Sequence, residues 1–214
     1  MNTPFGTCLS SLTEFEELRQ QSGGSPSKVA AGKVIHHLDR HCRSFIAQSP
    51  FLTMATADAN GLCDVSPRGD APGFVHILDD KHLLIPERPG NRRMDSVQNI
   101  LSNPHVGLIF FIPGLQETLR INGKACVTRD QQLLGELSVQ GKVPLFGIGV
   151  EVEEIFIHCA KAFLRSGLWA PETWPAKEDL PSAAKILADH VKLPALSEEN
   201  IATQLAESYQ TRLY

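Results

Sequence analysis

Residues able to do chemistry concentrate between Leu83 and Pro104, in LLIPERPGNRRMDSVQNILSNP. The spacing predicts a short apolar strand over Leu83, Leu84 and Ile85, a Pro-Gly loop, and a helix with Asp95 and Ser96 in its first turns. Asn91 is the expected N-cap. Arg88, Arg92 and Arg93 fall where that helix begins. The free N–H groups and positive dipole end of a helix N-terminus favour an anion, and guanidinium groups suit bidentate contacts to phosphate. Three crowded guanidiniums repel one another unless solvent separates them or an anion sits among them. Taken alone, these residues fit a solvated basic helix cap as well as they fit a phosphate site.

Other stretches carry weaker signals. SPRGDAPGF (Ser66–Phe74) is a charged, Gly- and Pro-rich loop between two predicted hairpins. Its N–H groups either meet a flat polar ligand, since glycine allows close approach, or face water as in any surface loop. Arg120 stands in a strand otherwise apolar on one side, where it snorkels, pairs with an acid such as Glu117, or faces a ligand. HCAKAFLRSGLW (His158–Trp169) combines His, Lys, Arg and Trp on a helical turn and its exit. Trp174, in the same Pro-rich loop, is expected to cap a core or bury at an interface. His37 and His41 stand four apart in a predicted helix beside His36 and Cys42, with no acidic third ligand at a recognised spacing. They read as surface or packing histidines, and no metal is expected. No catalytic residue is assigned, because GxSxG, a GxGxxG after a strand and GxxxxGK[ST] are all missing. An arginine-lined phosphate site without a nucleophile suits a protein whose chemistry belongs to a bound cofactor.

Composition narrows the class. A chain of 214 residues suits one domain with additions or two small ones. The formal charge of −4 argues against a broad grip on nucleic acid, so any anion site must be local. No apolar run reaches the ~20 residues of a membrane span, and the first residues show no basic region followed by an apolar one. No membrane partner is expected, and the cytoplasm is the expected location. Cys8, Cys42, Cys63, Cys126 and Cys159 are far apart and odd in number, which favours reduced buried thiols over a disulfide framework.

The elements that must position these residues follow from periodicity. Helices are expected over 10–21 and, as one longer amphipathic helix, over Ser27–Gln48. FLTMATAD and LCDVSP are strands joined at Asn60-Gly61, and FVHIL and KHLLIP form a second hairpin. VGLIFFIP reads as a strand buried on both faces, and TLRINGKACVTR as one or two strands with a bend or bulge at Asn122-Gly123. A helix over Asp130–Ser138 precedes the half-buried strand GIGVEVEEIFIHC. Two tail helices, about Ser182–Val191 and Ser197–Thr211, are separated by Leu193-Pro194. Strands in hairpin order with one inserted helix suggest a closed antiparallel barrel flanked by helices. The expected division is a helical segment over 1–47, the barrel over 48–175 and a helical extension over 176–214.

Assembled, the segments FLTMATAD…DVSPRGDAPGFV, LLIPERPGNRRMDSVQNILSNPHVGLIFFIPG, ETLRINGKA and EVEEIFIHCAKAFLRSGLW resemble the pyridoxamine 5′-phosphate oxidase-related family of FMN-binding split barrels. The resemblance covers about residues 48–175, and the pairing of PxRPGNxRxDSxxNxxxNPxVGLxFxIPG with HCxKAxxRSxLW makes it specific. It implies a mainly β fold with α, a split antiparallel barrel of six or more strands with flanking helices. It also implies an FMN-dependent oxidoreductase acting on a small molecule, as a homodimer with FMN at the subunit interface. By resemblance the FMN phosphate falls to Asn91, Arg92, Arg93 and Ser96, with Arg88 nearby. Val65, Ser66, Pro67, Arg68 and Gly69 would lie along the isoalloxazine ring and ribityl chain. Arg165, Ser166 and Trp169 would close over the ring from the partner subunit, and Arg120 would stand near the interface. The Arg-x-Val-Leu-Leu-Lys segment and the C-terminal pattern of the true oxidases are not matched, so the B6 substrate does not carry over. Relatives with this fold use deazaflavin or bind haem, and His158 or the His36, His37 and His41 group would serve as a haem ligand. A non-catalytic flavin binder is the remaining alternative.

Overall fold

The computed structural model describes residues 4–193 and 195–214. The chain forms two compact units, one ending at Val34 and one running from Ile35 to Tyr214. In the first, α1 (Leu12–Gln21) opens with a reciprocal cap. The Glu14 N–H donates to Ser11 Oγ (3.2 Å) and the Ser11 N–H donates to the Glu14 carboxylate (3.0 Å). A second short helix, α2 (Lys28–Gly32), starts at Ser27, whose hydroxyl accepts the Ala30 N–H.

The single helix expected over Ser27–Gln48 is two shorter ones, α2 and α3 (Arg40–Gln48). Between them the backbone of Ile35 exchanges two hydrogen bonds with Ile155 (3.0 and 2.8 Å), which no helical conformation permits. Asp39 then restarts the helix by accepting the N–H groups of His41 and Cys42. His37 therefore lies outside the helix that holds His41.

The second unit is built on seven antiparallel strands. They are β1 (Phe51–Ala57), β2 (Cys63–Gly69), β3 (His76–Ile77), β4 (His82–Pro86), β5 (His105–Phe111), β6 (Thr118–Thr128) and β7 (Gly147–His158). Their order is β2-β1-β5-β6-β7-β4-β3. Both expected hairpins form, β1 with β2 around Gly61 (φ 85°) and β3 with β4. The ladder of β6 and β7 shifts register at Asn122/Gly123, where a side chain on Gly123 would collide with the Glu151 carbonyl oxygen.

The expected closed barrel is not closed by hydrogen bonds, because the ladder ends at β2 and at β3. Side chains span the split instead. Arg68 of β2 forms an ion pair with Glu87, just past β4, and Arg88 Nε lies 2.7 Å from Asp70 Oδ2. The chain between β4 and β5 passes through α4 (Asp95–Ser102), which packs on β1, β2 and β6.

One continuous core fills the inside of the sheet. Leu52 and Met54 of β1, Leu83 and Ile85 of β4, Leu108 and Phe110 of β5, and Ile148 to Ile155 of β7 meet Phe45 and Ile46 of α3 and Ile100 of α4. Each such side chain contributes roughly 1.5–3 kcal/mol by leaving water. The expectation that β5 is buried on both faces does not hold. Val106, Leu108 and Phe110 are buried while Ile109 is exposed, because only one face of β5 is turned to the core.

The remaining helices are α5 (Gln131–Gly135), capped by Asp130, α6 (Lys161–Ser166), α7 (Ala183–Val191) and α8 (Glu198–Thr211). Ser182 and Ser197 cap the last two, and Pro194, expected to separate them, lies outside the described residues. No disulfide links the five cysteines, and only Cys42 is buried; the others are exposed, contrary to expectation. Burial pushes the Cys42 thiol up to about 12.

Candidate ligand site at the start of α4

The loop from Glu87 to Met94 is shaped by two left-handed residues, Arg92 (φ 62°) and Met94 (φ 57°). Asn91 does not cap α4. Its Oδ1 accepts the Arg93 N–H (3.0 Å) inside the loop, and the cap position is Met94, which offers no side-chain acceptor. Met94 thus gives the first amides of α4 no side-chain cap, and an anion is favoured there.

The three arginines do not form one cluster. Arg88 leaves it: Nε donates to Asp70, Nη1 donates to the Leu137 carbonyl oxygen (3.0 Å), and the guanidinium lies 5.7 Å from the Tyr214 ring centroid. Arg93 is exposed and forks onto Asp95 (2.8 and 3.4 Å), which holds its charge still more firmly. Arg92 is exposed and makes no side-chain contact among the described residues.

Ser96 is buried in the first turn of α4, and its Oγ lies 3.1 Å from Ser66 Oγ in β2. Arg68 Nε donates to the same Ser66 oxygen (3.2 Å) while its Nη1 pairs with Glu87. The alternation of β2 divides the expected run. Ser66 and Arg68 turn to the α4 side, whereas Val65, Pro67 and Gly69 are exposed on the opposite face. The structure thus brings together Ser66, Arg68 and Ser96, with Asn91, Arg92 and Arg93 on the adjoining loop.

Other expected residues sit elsewhere. Arg120 is exposed on the outer face of β6; among the described residues it forms no ion pair with Glu117 or another acid, but donates to Asn122 Oδ1 (3.2 Å) and lies over the Phe156 ring. Arg165 and Ser166 end α6, where Ser166 Oγ donates to the Phe163 carbonyl oxygen. Trp169 donates from Nε1 to the Leu115 carbonyl oxygen (2.9 Å) and stacks on Phe163, which abuts Phe111 and through it Phe51. That aromatic row reaches β2 only at Gly69, which faces Phe51. Trp174, expected to cap a core or to bury at an interface, caps no core and is 55% exposed on the single chain.

Residues not singled out from sequence hold the site in place. Asn99 of α4, itself buried, donates from Nδ2 to Thr56 Oγ1 (3.1 Å) and Asp64 Oδ2 (2.8 Å), fixing the helix to both strands of the first hairpin. Glu87 and Asp70 neutralise Arg68 and Arg88. A cleft of about 350 Å³ between the first hairpin and α4, lined by Asp58, Asp64, Asp95, Gln98, Asn99 and Ser102, carries acidic groups and repels an anion. Backbone N–H donation from Leu62 leads the contacts that hold the Asp58 carboxyl below its ordinary value. Thr56, Asp58, Asp64, Asp70, Glu87 and Asn99 all lie inside the segments quoted above, but local spacing gave them no role. The pairing of positions 19 residues apart has no sequence signal.

Comparison with known proteins adds the family. Residues 38–159, more than half of the chain, match the family model described as pyridoxamine 5′-phosphate oxidase. No curated protein matches the chain. Among solved structures, an FMN-binding protein from Syntrophomonas wolfei is 12% identical over 68% of this chain and 97% of its own, with a TM-score of 0.45. HupZ from Group A Streptococcus is 19% identical over 56% and 92%, with a TM-score of 0.44. A protein related to general stress protein 26 from Clostridium acetobutylicum is 14% identical over 55% and 85%, with a TM-score of 0.41. The family match, on a sheet split between β2 and β3 and flanked by helices, places this chain in the pyridoxamine 5′-phosphate oxidase family.

Proposed function

We propose that the chain is an FMN-binding flavoprotein and an oxidoreductase acting on a small molecule. The observation that carries this reading is the uncapped first turn of α4, with Arg92 and Arg93 on its approach and the Ser66 and Ser96 hydroxyls against it. Two cationic side chains, free amides and two hydroxyls suit a doubly charged terminal phosphate. Arg92 and Arg93 would hold that phosphate, and Ser66 and Arg68 would meet the ribityl chain or the ring edge. FMN, when bound, supplies the capacity to take and give electrons. The chain's own part is to bind it, orient it and limit its access to water.

The same reading makes the protein a homodimer. The outer face of β1, β2 and β5 leaves Phe51, Val65 and Ile109 uncovered, with Val65 67% exposed. A contiguous apolar face of this kind marks an interaction surface, and a second copy of this chain is the proposed occupant, bringing Arg165, Ser166 and Trp169 near the ring of its partner. No helix among the described residues is long and apolar enough to cross a membrane, in keeping with action in the cytoplasm.

The test is spectroscopic. Purified protein should be yellow, or should quench FMN fluorescence stoichiometrically on titration, with two broad flavin absorption bands. A Soret band would turn the reading to haem, and a colourless protein that takes up no FMN would remove it. Anaerobic NADPH and a substrate panel then separate an enzyme from a flavin carrier.

A further inference from the structure

The corner where β2 and β4 end is held by a residue from a distant part of the chain. Tyr214 comes three residues after α8, and its hydroxyl donates to Asp70 Oδ1 at 2.7 Å across 144 residues of sequence. Its ring lies against the Arg88 guanidinium, and its main-chain oxygen accepts from Lys142 Nζ at 2.7 Å. The Asp70 side chain is 2% exposed, and its second oxygen accepts from Arg88 Nε. Arg88 in turn reaches the Leu137 carbonyl oxygen.

One residue, through its side chain and its main-chain oxygen, therefore closes a circuit through three segments: the end of β2, the exit of β4, and the turn at 137–142. Asp70 lies one residue past Gly69, and Arg88 stands at the entry to the loop that carries Asn91, Arg92 and Arg93. A buried carboxylate needs several donors to remain charged. Asp70 has three, from Arg88, Tyr214 and the Ala71 N–H (2.8 Å). Removing Tyr214 leaves one oxygen with only a local backbone donor and uncovers one face of Arg88. The neighbouring cleft of about 180 Å³, lined by Asp70, Phe74, His76, Arg88 and Leu137, gives those groups room to move.

We propose that Tyr214 is a strap that fixes the Asp70–Arg88 corner and so keeps the runs 66–70 and 88–93 in register with each other. Tyr214 and Asp70 are positioning residues and touch no ligand. The strap stands on its own geometry; its consequence for FMN rests on the function proposed above.

Hydrogen exchange on the full chain without added flavin tests the strap directly. In Tyr214→Ala, amides in 69–74 and 86–90 should exchange about tenfold faster, while β6 and β7 keep their wild-type rates. Tyr214→Phe, which keeps the ring over Arg88 and loses the hydroxyl, should fall between. Unchanged exchange in both segments overturns the proposal, and so does a uniform loss of protection that includes β6 and β7, since that would make Tyr214 a general support of the fold. An FMN titration of the same proteins should show affinity about tenfold weaker in Tyr214→Ala. Faster local exchange with wild-type affinity would overturn the positioning role, whereas failure of every form to bind FMN would defeat the flavin reading and leave the strap in place.

Discussion

Ser66 and Ser96 stand 30 residues apart in sequence and 3.1 Å apart at their hydroxyl oxygens. That contact ties the first turn of α4 to the middle of β2, and Arg68 Nε donates to the same Ser66 oxygen. The helix end that favours an anion is thereby held against the strand that would carry the rest of a flavin nucleotide.

The arginines of the loop should contribute unequally to FMN binding. Each charge-assisted contact is worth roughly 1.5–3 kcal/mol, or about one to two decades of affinity. Arg92→Ala should show that loss in a fluorescence titration. Arg93→Ala should show less, because Arg93 must first give up its fork on Asp95. Wild-type affinity in the double variant would move the phosphate away from α4.

Dimer formation through the outer sheet face predicts that Ile109→Glu yields a monomer. The side chain is 36% exposed on a face that carries no core, so the fold itself should survive. Sedimentation of wild type and variant reads the outcome directly. A wild-type protein that sediments as a monomer at micromolar concentration would sink this reading.

Asn99→Leu should destabilise the second unit by about 1–3 kcal/mol, the usual penalty for stranding a buried polar partner. Both Thr56 Oγ1 and Asp64 Oδ2 lose their shared donor. Urea unfolding followed by circular dichroism measures the change. A loss below about 0.5 kcal/mol would mean that water replaces the amide at both oxygens.

Stability should depend on pH through Asp70 and Tyr214. Burial by itself raises the Asp70 carboxyl, but donation from Tyr214, the Ala71 N–H and the Arg88 guanidinium carries it below its ordinary value. Its contribution is present above the unfolded value of about 4 and is lost as pH falls through the lower folded value. The Tyr214 phenol is raised, chiefly by its bond to Asp70. Its contribution is present below about 10 and is lost as pH rises through the raised folded value. The Tm difference between wild type and Tyr214→Phe should therefore be widest between about pH 4 and 10 and close at both ends. A difference that does not vary with pH would show that the hydroxyl contact is not made in solution.

Local chemistry made much of this molecule readable before folding. Asn60-Gly61 announced the first hairpin, Ser182 and Ser197 the last two helices, and the alternation in GIGVEVEEIFIHC the strand β7, because turns, caps and half-buried strands are set by neighbours a few residues apart. The basic loop before α4 was visible for the same reason, whereas Ser66 and Arg68 read as part of a loop, are found in β2, and owed their place beside a ligand to the family resemblance.

Which of those charges are left for a ligand was settled only in three dimensions. Arg88 is committed to Asp70, Arg68 to Glu87 and Arg93 to Asp95, and two of these three pairs bridge the split in the sheet. A carboxylate finds its guanidinium through the approach of strands and loops from different hairpins, and the order β2-β1-β5-β6-β7-β4-β3 that brings them together leaves no trace in local spacing. The break between α2 and α3 has the same origin: the 27–48 segment carries a helical period throughout, yet the backbone of Ile35 is claimed by Ile155 on a strand 120 residues later.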